Sequence, residues 1–286
     1  MKNICFFSGD ITNSGGTERV ASIIANELSK NKEYKISFVS LTEKKKEPFF
    51  YINSKIKRHK LYDKPIRGIT HILGICYKLK SIVKNENIDI LIGTQMVVKG
   101  HHFPNVTLVG VIAADSSLNI DDYRANERTF QILTQVAGRA GREQLEGNVI
   151  IQTYNPENFA IQCAKEQNYD KFYNTEIALR EQLKYPPFSD IILIGFSSLN
   201  ENEVKQIAEK TYQYFRKMFN TEEFNVLKPM PSPIDKIQNR FRWRIIIKGI
   251  MTENANGILN EYLQKFYNCN YKNTKVTIEI NPNNMM

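Results

Sequence analysis

Four arginines and two glutamines share one side of a single predicted helix. The segment DDYRANERTFQILTQVAGRAGR spans residues 121–142. At about 100° per residue, Arg124, Arg128, Gln131, Gln135, Arg139 and Arg142 fall in one narrow stripe. Guanidinium groups are planar forks suited to phosphate oxygens, and glutamine amides add donors beside them. Gly138 and Gly141 carry no side chain and allow close approach. The stripe is a candidate phosphate-binding row. A solvated helix face is the alternative, but between Arg124 and Glu143 only Glu127 is acidic. Phe130, Leu133, Ala137 and Ala140 lie opposite and are expected to face a core.

Two further patterns bear on anions. In RFRWRIII, Arg240, Arg242 and Arg244 alternate with Phe241, Trp243 and Ile245, so a strand there has one basic and one apolar face. Five basic residues and no acid lie between Lys236 and Lys248. Such a face can hold phosphates without reading sequence; an edge strand guarded by charge against aggregation is the alternative. Near the start, Ser14-Gly15-Gly16-Thr17-Glu18-Arg19 links a strand to a helix. Backbone N–H groups of Gly15 and Gly16 at that helix start can approach a phosphate, although an ordinary strand-to-helix turn reads the same way.

The elements that must carry these residues follow from apolar periodicity. Residues 4–8 and KISFVSL are buried strands around a helix from 17 to 29, with Val20, Ile23, Ile24 and Leu28 expected inward. A charged irregular region, a helix over 69–83 and the strand IDILIGT (88–94) follow. Strands over 106–115 and 148–154 flank the long helix of 121–142. This βαβ…αβ order predicts a parallel sheet covered by helices. Pro156 starts a helix through Ala164, and another runs over about 170–183. Tyr185-Pro-Pro-Phe188 is a rigid break and the expected domain boundary. Beyond it come strand (190–198), helix (202–218), strands (224–228 and 241–248), helix (254–266) and strand (274–280), a ferredoxin-like βαββαβ order. The fold class is therefore α/β: a Rossmann-like or RecA-like parallel sheet followed by a small α+β ferredoxin-like domain.

The chain has 286 residues, 42% of them hydrophobic, enough for two packed domains. No apolar run reaches the ~20 residues of a membrane span, and MKNICFFSGD reads as a strand rather than a signal peptide. Cys5, Cys76, Cys163 and Cys269 are widely spaced with no C-x-x-C pair, so neither zinc nor a disulfide framework is expected. A cytoplasmic protein is the plain reading. The net charge of +9 is uneven: residues 1–91 carry 17 basic and 9 acidic residues, whereas 92–286 carry 22 and 21. Any nucleic-acid site in the later part must be a local patch.

The motifs then resemble two families. Gln135-Val-Ala-Gly-Arg-Ala-Gly-Arg142 resembles motif VI of superfamily 2 helicases, and Gly93-Thr-Gln-Met-Val-Val-Lys-Gly-His-His-Phe-Pro-Asn-Val-Thr107 looks like their motif V in its primosomal form. ADSSLN, DYRANERTFQILTQ, NVIIQTYNPENFAI, the YPPF break, RFRWRIIIKG and VTIEINPNNMM extend the likeness to PriA-type replication-restart helicases, over about residues 88–286. Asp121 stands where that pattern leads us to expect a proline, a change expected to alter only the helix start. The resemblance implies a 3′–5′, ATP-dependent DNA helicase using magnesium, with Arg139 and Arg142 as arginine fingers toward ATP and Gln135 positioning them. It implies that Thr94, Gln95 and Lys99 contact the DNA backbone, and that the C-terminal domain helps recognise branched DNA. Forked or single-stranded DNA, single-strand-binding protein and primosome proteins are the partners it implies. His101 and His102 read as loop residues, not metal ligands.

A helicase of this class needs a G-x-x-x-x-G-K-[ST] loop and an acidic magnesium motif. Neither occurs in this sequence, nor does the family's zinc-cysteine cluster, so ATP-driven unwinding by this chain alone is not expected. ICFFSGDITNSGGTERVASIIANELSK instead resembles the N-terminal domain of GT-B glycosyltransferases, with Gly15 and Gly16 in their glycine loop. The expected organisation is a GT-B-like segment over 1–87, a second helicase lobe over 88–166 sharing its sheet, a helical linker over 167–188 and an α+β domain over 189–286. Three functions follow: a DNA-binding replication-restart protein, a glycosyltransferase fragment, or an inert gene fusion.

Overall fold

The structure is a computed structural model that describes residues 1–64, 71–98, 103, 106–141, 146–269 and 271–285. Lys99, His101, His102 and Arg142 lie outside the described residues. The chain divides into two compact units: Met1–Val111 with Gln135–Ile150, and Ile112–Thr134 with Ile151–Met286.

In the first unit the order is β1 (Lys2–Ser8), α1 (Gly16–Leu28), β2 (Tyr34–Thr42), β3 (Lys57–Tyr62), α2 (His71–Asn85) and β4 (Ile90–Gly93). The four strands form a parallel sheet in the order β3-β2-β1-β4. Strand β1 is apolar on both faces because both are covered. Ile4 and Phe6 join the cluster containing Ala25 of α1, whereas Cys5 and Phe7 join that containing Leu79 of α2. The short α3 (Gln95–Val98) and β5 (Leu108–Val111) follow.

Helix α1 turns a different side inward from the one its hydrophobicity predicts. Val20, Ile23 and Ile24 are 55%, 54% and 44% exposed, while Ser22 and Ala25 are buried. The sheet supplies the bulk: Phe6 and Phe38 stack at 5.9 Å, leaving room above them for small side chains. Strand β3, expected as irregular, is an edge strand in which Leu61 alone is buried.

The short α4 (Asp115–Leu118) precedes α5 (Ala125–Ala137), and β6 (Asn148–Ile151) pairs with β5. Strand β4 thus joins the sheet begun by residues 1–87, whereas β5 and β6 pair with each other. Both are shorter than predicted: Asp115, buried, gathers Thr153 Oγ1 at 2.7 Å and the backbone N–H of Tyr154 at 2.8 Å, turning the chain there. Hydrogen bonds from Thr153, Tyr154 and Asn155 hold its carboxyl below the usual range against the opposing effect of burial.

The rest of the second unit comprises α6 (Phe159–Glu166), α7 (Tyr169–Gln182), β7 (Asp190–Ser198), α8 (Glu201–Met218), β8 (Asn225–Val226), β9 (Met230–Ile237), β10 (Arg240–Gly249), α9 (Glu253–Asn268) and β11 (Lys275–Ile280). Asn158 accepts from Ala160 N, which starts α6 three residues after Pro156 is reached rather than at it. The antiparallel sheet runs β11-β7-β10-β8, with β9 also on β10. Helices α8 and α9 cover one face through Phe215, Tyr262 and Phe266 against Ile192, Ile194, Ile245 and Ile247. The other face buries Ile191, Leu193, Ile246 and Met285, with Tyr123 and Tyr185 alongside. Because Tyr185 stacks on Tyr123 at 5.3 Å, the Tyr185–Phe188 segment lies within this unit instead of separating units. Phe130 likewise stacks on Phe172 of α7 at 4.2 Å. The unpredicted β9 contains Pro231 and Pro233, which an edge strand tolerates.

Candidate nucleic-acid interface

The arginine row does not form one continuous helical stripe. Asp122 accepts Arg124 N at 3.0 Å and its backbone carbonyl accepts Ala125 N at 2.9 Å, so α5 begins only at Ala125. Its carboxylate, with no side-chain exposure, also takes Arg124 Nε at 2.9 Å and pairs with Arg128 at 3.1 Å. Burial pushes the Asp122 carboxyl up. Hydrogen bonds from Arg124 and the charges of Arg124 and Arg128 outweigh it, leaving the group below its ordinary range. The same arginines donate to the chain's end: Arg124 to the Pro282 carbonyl at 2.9 Å and Arg128 to that of Asn283 at 3.0 Å. Their forks hold a carboxylate and backbone carbonyls, so no row of open phosphate ligands results. Gln131 and Gln135 are exposed.

The helix also ends at Ala137, before Arg139. Arg139 N bonds the Val136 carbonyl and Ala140 N that of Ala137, a tightening turn. Gly141 then takes a φ of 67°, the left-handed region, with its N–H on the Val106 carbonyl at 3.1 Å. A Cβ on Gly147 would strike the backbone of Ala140 and Gly141, so the glycines here serve chain packing. Gly138 is exposed in this turn and Arg139 is half-buried. Burial raises the Cys76 thiol of α2, an effect that the positive charge of Arg139 opposes.

Strand β10 presents its arginines unevenly. Arg240 and Arg242 are half-buried, while Arg244 is 2% exposed. Arg240 donates to the carbonyls of Ser197 at 2.9 Å and Asn273 at 2.6 Å. Arg242 reaches the Ile234 carbonyl at 3.4 Å. Arg244 pairs with Asp121 and donates to the Met285 carbonyl. The alternation in RFRWRIII is real, but the face carrying Arg244 is roofed by residues 121–123 and the C-terminal tail. Arg244 is therefore a buried structural ion, a correction to its placement on an open basic face. Asp121 does more than mark a helix start. Lys248, further along, sits 3.5 Å from the Tyr185 ring centroid, and burial lowers its pKa.

Thr94 and Gln95 are exposed at the carboxyl end of β4. That strand pairs in parallel with β1, whose own carboxyl end leads to Gly15 and Gly16. Both candidate groups therefore lie at the carboxyl edge of one sheet, where β1 has neighbours on either side. Gly15 precedes the first turn of α1, but a Cβ there would meet the Glu18 carboxylate, whereas Gly16 has open space. An acidic group already sits at this helix start, where it complements the dipole and repels a phosphate.

A groove that the sequence patterns did not single out lies beside α8, lined by Asn202, Lys205, Gln206, Glu209, Pro229 and Trp243. The sequence placed Trp243 on the apolar side of β10; the structure leaves it half-exposed.

Comparisons with known proteins cover much of the chain. The replication restart protein PriA of Bacillus subtilis is 40% identical over 214 residues, 74% of this chain and 26% of that protein. The PriA of Synechocystis is 46% identical over 163 residues, 56% of this chain and 19% of its own length. That of Borreliella burgdorferi is 39% identical over 220 residues, 76% and 32% respectively. The chain thus spans about a fifth to a third of the curated relatives it matches. Residues 181–283, which run from the end of α7 past β11, match the family model of the primosomal protein N C-terminal domain, and about three-quarters of the chain is similar to PriA-type replication restart proteins.

Proposed function

We propose that this chain acts in DNA replication restart as a PriA-type protein, binding forked or single-stranded DNA through its second unit. The observation that carries this reading is the 40% identity with a replication restart protein across 74% of the chain. The β11-β7-β10-β8 order with both helices on one face supports a ferredoxin-like reading of residues 189–286. The parallel β3-β2-β1-β4 sheet covered on two faces supports a Rossmann-like reading of the first unit. Single-strand-binding protein and other primosome proteins are proposed partners on the same similarity.

ATP and magnesium belong to the activity of such a helicase, with Gln135, Arg139 and Arg142 as their proposed neighbours. Gln135 and Arg139 do not make a nucleotide site by themselves: Arg139 stands in a turn beyond α5, and the sequence has no phosphate-cradling G-x-x-x-x-G-K-[ST] loop. The proposed activity is binding. The nucleotide-sugar reading of residues 1–87 gains no support from the matched relatives, and Glu18 beside Gly15 weighs against it.

The test is anisotropy of a labelled fork with the purified chain across a salt series, with Arg240→Ala/Arg242→Ala alongside. Binding that weakens steadily as salt rises is expected. No binding at low salt would sink the proposal.

A further inference from the structure

The groove beside α8 has a volume of about 470 Å³, within the range of small-ligand clefts, about 300–1,000 Å³. We infer that it holds an unpaired nucleobase of single-stranded DNA, stacked on Trp243, with Lys205 meeting the adjoining phosphate. This rests on the DNA-binding reading above and gives that reading a specific site.

Trp243 is suited to such a contact by where the sheet fixes it. It pairs with Phe196 of β7 on one side and Pro231 of β9 on the other. One part of the ring packs against the core beneath α8 and α9. The remainder is exposed and held in place, so stacking would order little that is not already ordered. Every base has a π-face, which makes an aromatic platform tolerant of sequence.

The surrounding polar groups match the rest of a nucleotide. Lys205 Nζ lies 5.8 Å from the Trp243 centroid, near the ~6 Å limit of a cation–π contact. It is exposed, and its long side chain can swing from the ring to a phosphate when a base takes its place. Asn202 and Gln206 are four apart on α8 and so share a side with Lys205. Their amides offer both donors and acceptors to base edges. Glu209, in the same lining, repels phosphate and confines the backbone to the Lys205 end.

A second aromatic–cation pair extends the row. Lys236 Nζ lies 4.5 Å from the centroid of Phe241, two residues before Trp243 and on the same side of β10, about 7 Å away. A strand of nucleic acid following β10 would meet two rings and two ammonium groups in succession.

Trp243 is the single tryptophan in the chain, so its emission reports on this groove alone. The full chain is titrated with an oligothymidylate and with an abasic oligonucleotide of equal length, and anisotropy of the labelled strands is read in parallel. The thymidylate is expected to quench the emission and to bind more tightly than the abasic strand. Trp243→Ala is expected to weaken thymidylate binding about 5- to 150-fold, the range of base–aromatic stacking. Lys205→Ala is expected to weaken both strands and to lower the salt slope by about 1. Should Trp243→Ala fail to fold, the abasic comparison and Lys205→Ala decide.

Equal binding of both strands with unchanged emission would overturn the groove assignment while leaving DNA binding intact. Quenching by an acidic peptide, with none by DNA, would make the groove a peptide site and overturn it too. Absence of any anisotropy change at low salt would remove both this inference and the function on which it rests.

Discussion

Arg244 and Asp121, 123 positions apart, form an ion pair on the face of the second sheet away from α8 and α9. The partners are unequal: the arginine side chain is 3% exposed and the aspartate 69%. The buried member also donates to the Met285 carbonyl. One guanidinium thereby joins β10, the segment before α5 and the C-terminal tail.

This inequality predicts asymmetric mutants. Asp121→Asn leaves a buried charge with carbonyl partners only and should lower unfolding free energy by about 1–3 kcal/mol. Arg244→Met removes the charge, keeps the length, and should stay within about 1 kcal/mol of the parent, because Asp121 returns to water. Urea unfolding of both variants checks this, and the reverse ranking would refute it. If Arg244 is structural, neither change should alter DNA affinity in the folded protein.

Asp122 predicts an acid limb to stability. Its folded pKa is depressed, so its contribution is present above the unfolded value of about 3.9 and disappears as pH falls through the folded one. Asp122→Asn should cost about 3 kcal/mol near neutrality, by leaving Arg124 and Arg128 without their shared carboxylate. The gap between variant and parent should narrow below about pH 4. Denaturant titrations from pH 7 to 3 measure it; a constant gap would show that packing, not charge, is responsible.

The tail predicts a stability role for the chain's end. Met285 is 3% exposed within the cluster of Ile191, Leu193 and Ile246. Met285→Ala should cost about 2–4 kcal/mol, and deletion of residues 282–286 more, because Arg124 and Arg128 also lose the Pro282 and Asn283 carbonyls. Thermal unfolding is the measurement, and an unchanged midpoint after deletion would dismiss the tail as a strap.

Tyr262 predicts an alkaline limb. Burial, opposed by its hydrogen bond with Thr211 at 2.6 Å, raises its pKa to about 12. A folded pKa above the unfolded value of about 10 gives stability that is complete below pH 10 and lost as pH rises toward 12. Tyr262→Phe should cost about 1 kcal/mol at neutral pH through the lost hydrogen bond. It should also flatten the decline above pH 10. A decline of unchanged steepness would assign it to other groups.

Residues with one dominant physical demand were the most legible. Strand β7 spans the expected 190–198 because DIILIGFSS has apolar residues for both covered faces. Helices α8 and α9 match their period closely, and Asn200 and Thr252 cap them. Strand β9 was hidden by Pro231 and Pro233, since the permission to keep proline comes from having β10 on one side only. Helix α1 misled because its period points Val20, Ile23 and Ile24 inward, whereas the sheet bearing Phe6 and Phe38 receives the side of Ser22 and Ala25.

The sequence by itself determined most of the succession of strands and helices, though not β3 or β9, together with the presence of a parallel and an antiparallel sheet and the positions of the arginines. Tertiary structure decided what those arginines do. A periodic pattern shows that Arg124, Arg128 and Arg244 share faces with other cations. It does not contain the carbonyls of residues 282–285 or the carboxylates of Asp121 and Asp122 that arrive from elsewhere in the chain. Conversely, the half-exposed Trp243 stands beside Lys205 because α8 packs across β7 and β10. Charge and periodicity are local properties of a chain, whereas a partner for a buried ion, or a wall for a groove, is a long-range contact.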